Sequence, residues 1–273
     1  MHREGRRGVY GSPVGTRNGS GAVDTNETRA ALDRGEFFLV YLPTVSLLDG
    51  GCVGAEALIR WRRKNDLIVT ASEFIPSTEG TPVSGVITYW VIDTIAAEIG
   101  DWLALTPAAH ISINVPPEIL GRGGLEYATV KSGLRPQVNQ LILEVTERGI
   151  PDQLGLDALN SVASTGARVA LDDVTLSGAN LALLTRCHFD IIKIDKSLVD
   201  ELVPPRPPPK WFLGLQSLLT SSSLQVIAEG VETAHQFNAL KTAGVHMAQG
   251  HYFSEALPAD SYKRYYAQTR ARR

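Results

Sequence analysis

The chain has 273 residues, a net charge of -3 and two cysteines. It is long enough for a large α/β barrel as a single domain. Its scattered basic residues provide no footprint for duplex nucleic acid or an anionic membrane. Cys52 and Cys187 lie far apart beside apolar runs, the pattern of reduced core thiols rather than a disulfide framework or a zinc site, which points to the cytoplasm. No apolar window of membrane-spanning length stands out, and residues 1–24, basic at the start and rich in glycine, are expected to form a disordered tail.

In chain order, "DTNETRAALDRG" reads as a short helix with Asp24 or Thr25 near its N-cap and Gly35 as its stop. Strands are expected at 36–42, 52–61, 110–115, 140–147, 168–173, 190–195, 224–230 and 245–253, eight in all. Between them, Ile87, Val91, Ile95 and Trp102 fall near helical spacing, as do Leu156, Leu159 and Val162, and Phe237 with Leu240. Gly166 and Gly244 are placed as helix C-caps, and "PPRPPP" (204–209) as a stiff surface loop. Alternation of strand and helix eight times predicts a TIM-like (β/α)8 barrel spanning residues 25–268, followed by a short tail, 269–273.

Seven of the eight strands carry a polar residue in or at the end of an apolar run: Glu56, Asn114, Glu144 with Glu147, Asp172 with Asp173, Lys193, Glu229 with Glu232, and Gln249. Any one of these alone reads as a turn former or a helix cap. Strand C-termini of a barrel converge on one face, however, so together they predict a site. Lys193 in "FDIIKID" is costly to bury unless anions surround it, and clustered carboxylates repel one another unless cations join them. Divalent cations satisfy both conditions, and all-oxygen donors favour Mg²⁺ or Mn²⁺. Strict alternation sends Asp172 and Asp173 to opposite faces, so both can reach one site only if the chain is already leaving the strand. One carboxylate could then bridge two ions, a device for in-line attack of water on a phosphodiester.

"VGAEALIRW", "SINV", "LEVTE", "ALDDV", "IIKIDKSLV", "VIAEGVET" and "QGHYFSEALP" follow one another in the order and spacing of the EAL-domain phosphodiesterases. The chain resembles this family over roughly residues 28–268. The resemblance implies a barrel whose first strand runs antiparallel, a cytoplasmic homodimer, and two-metal hydrolysis of cyclic di-GMP to linear pGpG. Carried over by position, it implies that Glu56, Asn114, Glu144 and Asp172 bind the first metal, while Asp172, Asp173 and Glu229 bind the second. Lys193 would orient the attacking water, and Glu229 could help take its proton. Arg60, Gln249 and the stretch Leu42–Pro43 would meet the ligand, and Glu147 and Glu232 would anchor the loop after Asp173. Two departures stand out. Leu42 replaces a glutamine that touches the substrate, and "DDVTLSGANL" replaces a glycine-rich loop that couples the dimer contact to metal binding. The resemblance therefore carries an alternative, a catalytically weak receptor or interaction module for cyclic di-GMP.

Overall fold

Phe37–Ser46 (β1) and Cys52–Arg62 (β2) are rich in β-branched and aromatic residues and pair as a long antiparallel hairpin, Phe37 opposite Trp61 and Tyr41 opposite Ala57. The computed structural model describes residues 24–146, 152–174, 187–202, 207 and 209–271. After β2 comes a three-residue strand, Ile68–Thr70 (β3), which pairs with the end of β2. The ladder then continues in parallel through His110–Asn114 (β4), Leu141–Thr146 (β5), Arg168–Val174 (β6), Ile191–Ile194 (β7), Gln225–Ala228 (β8) and Met247–Ala248 (β9). β9 returns antiparallel to β1, so eight strands close a barrel whose first strand is antiparallel, as expected; β3 is an appendage.

β1 runs four residues beyond its expected end, through Pro43. Tyr41 gives its N–H away from β2, to Leu257 O at 2.7 Å, and the same side recurs two residues on. The missing N–H of Pro43 therefore faces the seam between the Leu257 bridge and β9, where no ladder bond is required. β9 is shorter than the expected 245–253, because the chain turns at Gly250 (φ 146).

Outside the barrel, Pro82–Leu105 starts on a Thr81 cap with Pro82 in the first turn and lays Ile87, Val91, Ile95 and Ile99 against it. This helix is long and apolar enough to cross a membrane by length and composition, which the sequence reading passed over; its apolar residues serve a packed outer layer, and 44% of its most apolar window is buried. The helices Gln153–Thr165 and Ala234–Thr242 end at Gly166 (φ 92) and Gly244 (φ 84), the two expected caps. The last helix, Ala259–Arg270, extends into the stretch expected to be a tail, and Arg270 Nε donates to Cys52 O at 2.9 Å. Cys52 and Cys187 are both buried, and no disulfide joins them. The sequence features on residues 1–23, Glu147, the loop 175–180 and most of "PPRPPP" lie outside the described residues.

Within the barrel, Ile142, Ala170, Ile191, Ile227 and Met247 form one apolar layer. Each stands two residues before a polar residue of the expected site, on the same strand face. On β2, a Cβ on Gly54 would come within 2.3 Å of the buried His110 ring, so only glycine fits this cross-strand position.

Candidate active site

Directly above that apolar layer the interior turns polar. Lys193 points inward from β7 and is 1% exposed. Its Nζ lies 2.8 Å from Glu144 Oε2, 2.8 Å from Glu229 Oε1, 3.1 Å from Asp172 Oδ1 and 3.2 Å from Glu56 Oε2. Four strands thus each send one carboxylate to a single ammonium. Asn114 Nδ2 donates to Glu56 Oε1 at 3.0 Å and is the register partner of Glu144. Gln249 Nε2 donates to Glu56 Oε2 at 2.7 Å and to Glu229 Oε1 at 3.0 Å, while its own Oε1 accepts from Thr44 Oγ1 at 3.3 Å. Thr44 escaped the sequence reading; it lies two residues from Leu42 on the inward face of β1.

The electrostatics follow from burial and crowding. Burial alone would raise the Glu56 carboxyl, but the Lys193 ammonium and the bonds from Gln249 and Asn114 outweigh it and hold the group below the usual carboxylate range. Glu144 has no amide donor among the described residues: burial first, then the charge of Glu56, drives it well above that range against the pull of Lys193. Burial, with the charges of Asp172 and Glu56, pushes Glu229 up to about 8 against the pull of Lys193. Burial works to lower the Lys193 pKa, yet Asp172, Glu144, Glu229 and Glu56 together raise it well above the usual lysine value.

The paired aspartates part from the strand as anticipated. Leu171 pairs with Ile192 and Val174 with Ile194, so three steps of β6 oppose two of β7. The extra residue is absorbed at Asp173, whose φ is 55. Asp is among the few side chains that tolerate this left-handed conformation. Asp173 N donates to Asp172 Oδ1 at 2.9 Å, and carboxylate oxygens of Asp172, Asp173 and Glu229 lie within 4.8 Å of one another.

Not every expected residue joins the cluster. Leu42 is the register partner of Glu56 and shares its face, so an apolar, half-buried side chain borders the carboxylates. Pro43 pairs with Ala55 and sits on the opposite face, buried toward the outer layer and away from the mouth. Arg60 lies four residues beyond Glu56 on the same face of β2, with Nη1 donating to Ile59 O at 2.9 Å. Glu232 is outside the cluster, paired with Lys196 Nζ at 3.0 Å. From Glu56, Asn114, Asp172 and Asp173 a cleft of about 690 Å³ opens past Ile75 and Pro116. Its walls are contributed by segments distant in the chain, so no local sequence signal marks them.

The EAL domain family model matches residues 25–256. The chain belongs to the EAL domain family. The probable cyclic di-GMP phosphodiesterase PdeB of Escherichia coli is 33% identical over 238 residues, which is 86% of this chain and 45% of that protein. The chain therefore spans less than half the length of that relative. Among solved EAL structures, the PaMucR phosphodiesterase in its c-di-GMP complex gives a TM-score of 0.76 at 27% identity, covering 87% of this chain and 98% of that one. The EAL enzyme Bd1971, in a form with cAMP and cyclic-di-GMP bound, gives 0.77 at 27% identity, covering 89% of this chain and 68% of that one.

EAL domains are metal-dependent, and the donor set of this one fits a hard divalent cation. All the converging donors are oxygens, from carboxylates and one amide. The Glu144 oxygens are buried without a hydrogen-bond partner among the described residues, although Lys193 stands within ion-pair distance. Four carboxylates sharing one buried ammonium are costly in a folded chain unless further cations join them.

Proposed function

We propose that this EAL domain hydrolyses cyclic di-GMP to linear pGpG with two bound ions, Mg²⁺ or Mn²⁺. The observation that carries this reading is the convergence of carboxylates from four strands on Lys193, with Asp172, Asp173 and Glu229 within 4.8 Å of one another. Glu56, Asn114, Glu144 and Asp172 would hold one ion, and Asp172, Asp173 and Glu229 the other. Ions held there supply Lewis acidity toward a phosphoryl oxygen and a lowered pKa for bound water.

The residues of the chain perform the remaining tasks. Lys193 Nζ, fixed among carboxylates, is a donor that holds the attacking water in line with the scissile phosphate. Glu229, whose carboxylate meets Lys193 Nζ at 2.8 Å beside Asp172 and Asp173, would take up the proton of that water. Gln249 bridges the Glu56 and Glu229 carboxylates by donating to both. Arg60, on the Glu56 face, is positioned for a phosphate or guanine of the ligand. The cleft of about 690 Å³ is of the size that small-ligand sites occupy. We further propose that the domain works in the cytoplasm as a homodimer, joined through the loop after Asp173 and the helix that follows it.

A second reading has one observation in its favour: Leu42 presents an apolar side chain beside Glu56. On that reading the domain binds cyclic di-GMP as a receptor and turns it over weakly. One assay separates the two. Purified protein is incubated with cyclic di-GMP and Mn²⁺ or Mg²⁺, with EDTA as the control, and products are resolved by chromatography. The enzyme reading expects metal-dependent pGpG; tight binding without pGpG selects the receptor.

A further inference from the structure

As Asp172 is by Asp173 (φ 55), Glu229 is followed at once by a left-handed residue, Gly230 (φ 63). Its strand-end backbone is held on two sides: Glu229 N donates to Ile194 O at 3.0 Å, and Val231 N donates to Gln249 O at 3.1 Å. The turn between them has a third support. A Cβ built on Gly230 would come 2.5, 2.6 and 2.8 Å from Cγ, Cβ and Cδ of Lys196, so the lysine's methylene stem lies directly on the Gly230 Cα. Beyond the stem, Lys196 Nζ reaches Glu232 Oε1 at 3.0 Å and Asp200 Oδ1 at 3.2 Å. Gln236 closes the frame: its Nε2 donates to Asp200 Oδ1 at 3.2 Å, and its Oε1 accepts from the N–H groups of Glu232 and Thr233 at 2.9 and 3.0 Å. Lys193 and Lys196, three residues apart, thus flank Glu229, one touching its carboxylate and the other its backbone turn.

The geometry assigns Lys196 as a positioning residue that sets the Glu229 carboxylate by bracing the Gly230 turn. The stem contributes most of this. Lys196 and Glu232 have side chains 44% and 47% exposed, and ion pairs so open to solvent contribute little. A methylene chain packed on a glycine Cα instead removes the free space into which that turn could relax, and lysine stems commonly act in this way. The assignment rests on the reading above only in taking Glu229 for a metal ligand.

The test compares wild type, Glu229→Gln, Lys196→Ala and Lys196→Met by Mn²⁺ titration calorimetry, with turnover of cyclic di-GMP as a second readout. Loss of a partner that orients a ligand typically weakens metal affinity about 10- to 100-fold. Lys196→Ala is expected at the low end, about tenfold, with kcat falling and KM nearly unchanged. Lys196→Met, which keeps the stem and loses the charge, is expected to stay within about threefold of wild type by the same scale. Wild-type Mn²⁺ affinity in Lys196→Ala, beside a clear loss in Glu229→Gln, would overturn the assignment and leave the metal site standing. Lys196→Met as weak as Lys196→Ala would overturn the role of the stem. Unchanged Mn²⁺ binding in Glu229→Gln would remove the metal reading, and the role of Lys196 with it.

Discussion

The barrel interior holds two layers one strand repeat apart, and they are chemical opposites. Ile142, Ala170, Ile191, Ile227 and Met247 make a dry layer; two residues on, Glu144, Asp172, Lys193, Glu229 and Gln249 make a charged one. Backbone pairing is continuous through both on most strands, so the ladder does not cause the difference. The difference lies in which end of the strand meets the loops. The lower layer stabilises by removing apolar surface from water. The upper layer gathers carboxylates that repel one another, a cost that bound cations would offset. The same strands therefore divide stability and function by depth, and the two are separable by mutation.

The largest expected effect lies in the upper layer. Asp172→Ala or Glu56→Ala should reduce hydrolysis of cyclic di-GMP by more than about a hundredfold, beyond the loss typical of a merely supporting partner. Thermal unfolding should shift little, since each change also relieves repulsion. Lys193→Met should be as damaging to turnover, because it removes the donor that holds the water. Undiminished metal-dependent turnover in any of the three would break the division by depth.

The lower layer should behave in the opposite way. Ile227→Ala leaves a cavity in a packed interior, a change that costs about 2–5 kcal/mol, so the denaturant midpoint should fall while kcat per folded molecule stays within about twofold. A large loss of kcat at unchanged stability would show that the layers are not separable.

A smaller effect is expected from pH. Glu144 and Glu229 have raised pKa values in the folded protein, Glu229 at about 8 against an ordinary 4.5. Between those values the folded chain keeps protons that the unfolded chain has lost, so the stability these groups contribute is fully present below about pH 4.5 and is lost as pH rises toward 8. In EDTA, the urea midpoint corrected for global charge by comparison with Glu229→Gln should fall across this window more in wild type than in the variant. Parallel pH profiles would show that Glu229 carries no such penalty. The smallest effect belongs to the border of the upper layer: Leu42→Gln should change KM a few-fold and leave Mn²⁺ affinity unaltered, because that side chain neighbours Glu56 without entering the carboxylate cluster. A changed Mn²⁺ affinity would place position 42 in the metal site.

The upper layer was legible in the sequence because polar groups inside an apolar strand are expensive, and seven strands repeated the anomaly, five with charge and two with an amide. The departure of Asp173 from the strand was legible for the same kind of reason: two adjacent carboxylates reach one site only through a break in alternation. Other features are tertiary. β3 is three residues long after a turn in which Asn65 and Asp66 take positive φ, too short to impose a period. The early end of β9 is set by Gly250 packing on Val231, and the outward face of Pro43 by the seam beside Leu257. The support of Lys196 for Gly230 joins two loops that adjacent strands bring together, and the letters "KIDKS" and "EGVE" carry no sign of that contact.

The central claim is that the carboxylates of the upper layer exist to hold divalent cations, and Mn²⁺ can be located directly. Crystals grown with Mn²⁺ and cyclic di-GMP, measured at the manganese absorption edge, should show anomalous peaks bounded by Glu56, Asn114, Glu144, Asp172, Asp173 and Glu229. Saturating Mn²⁺ with no peak among these residues, Lys193 still paired to all four carboxylates, would contradict the account.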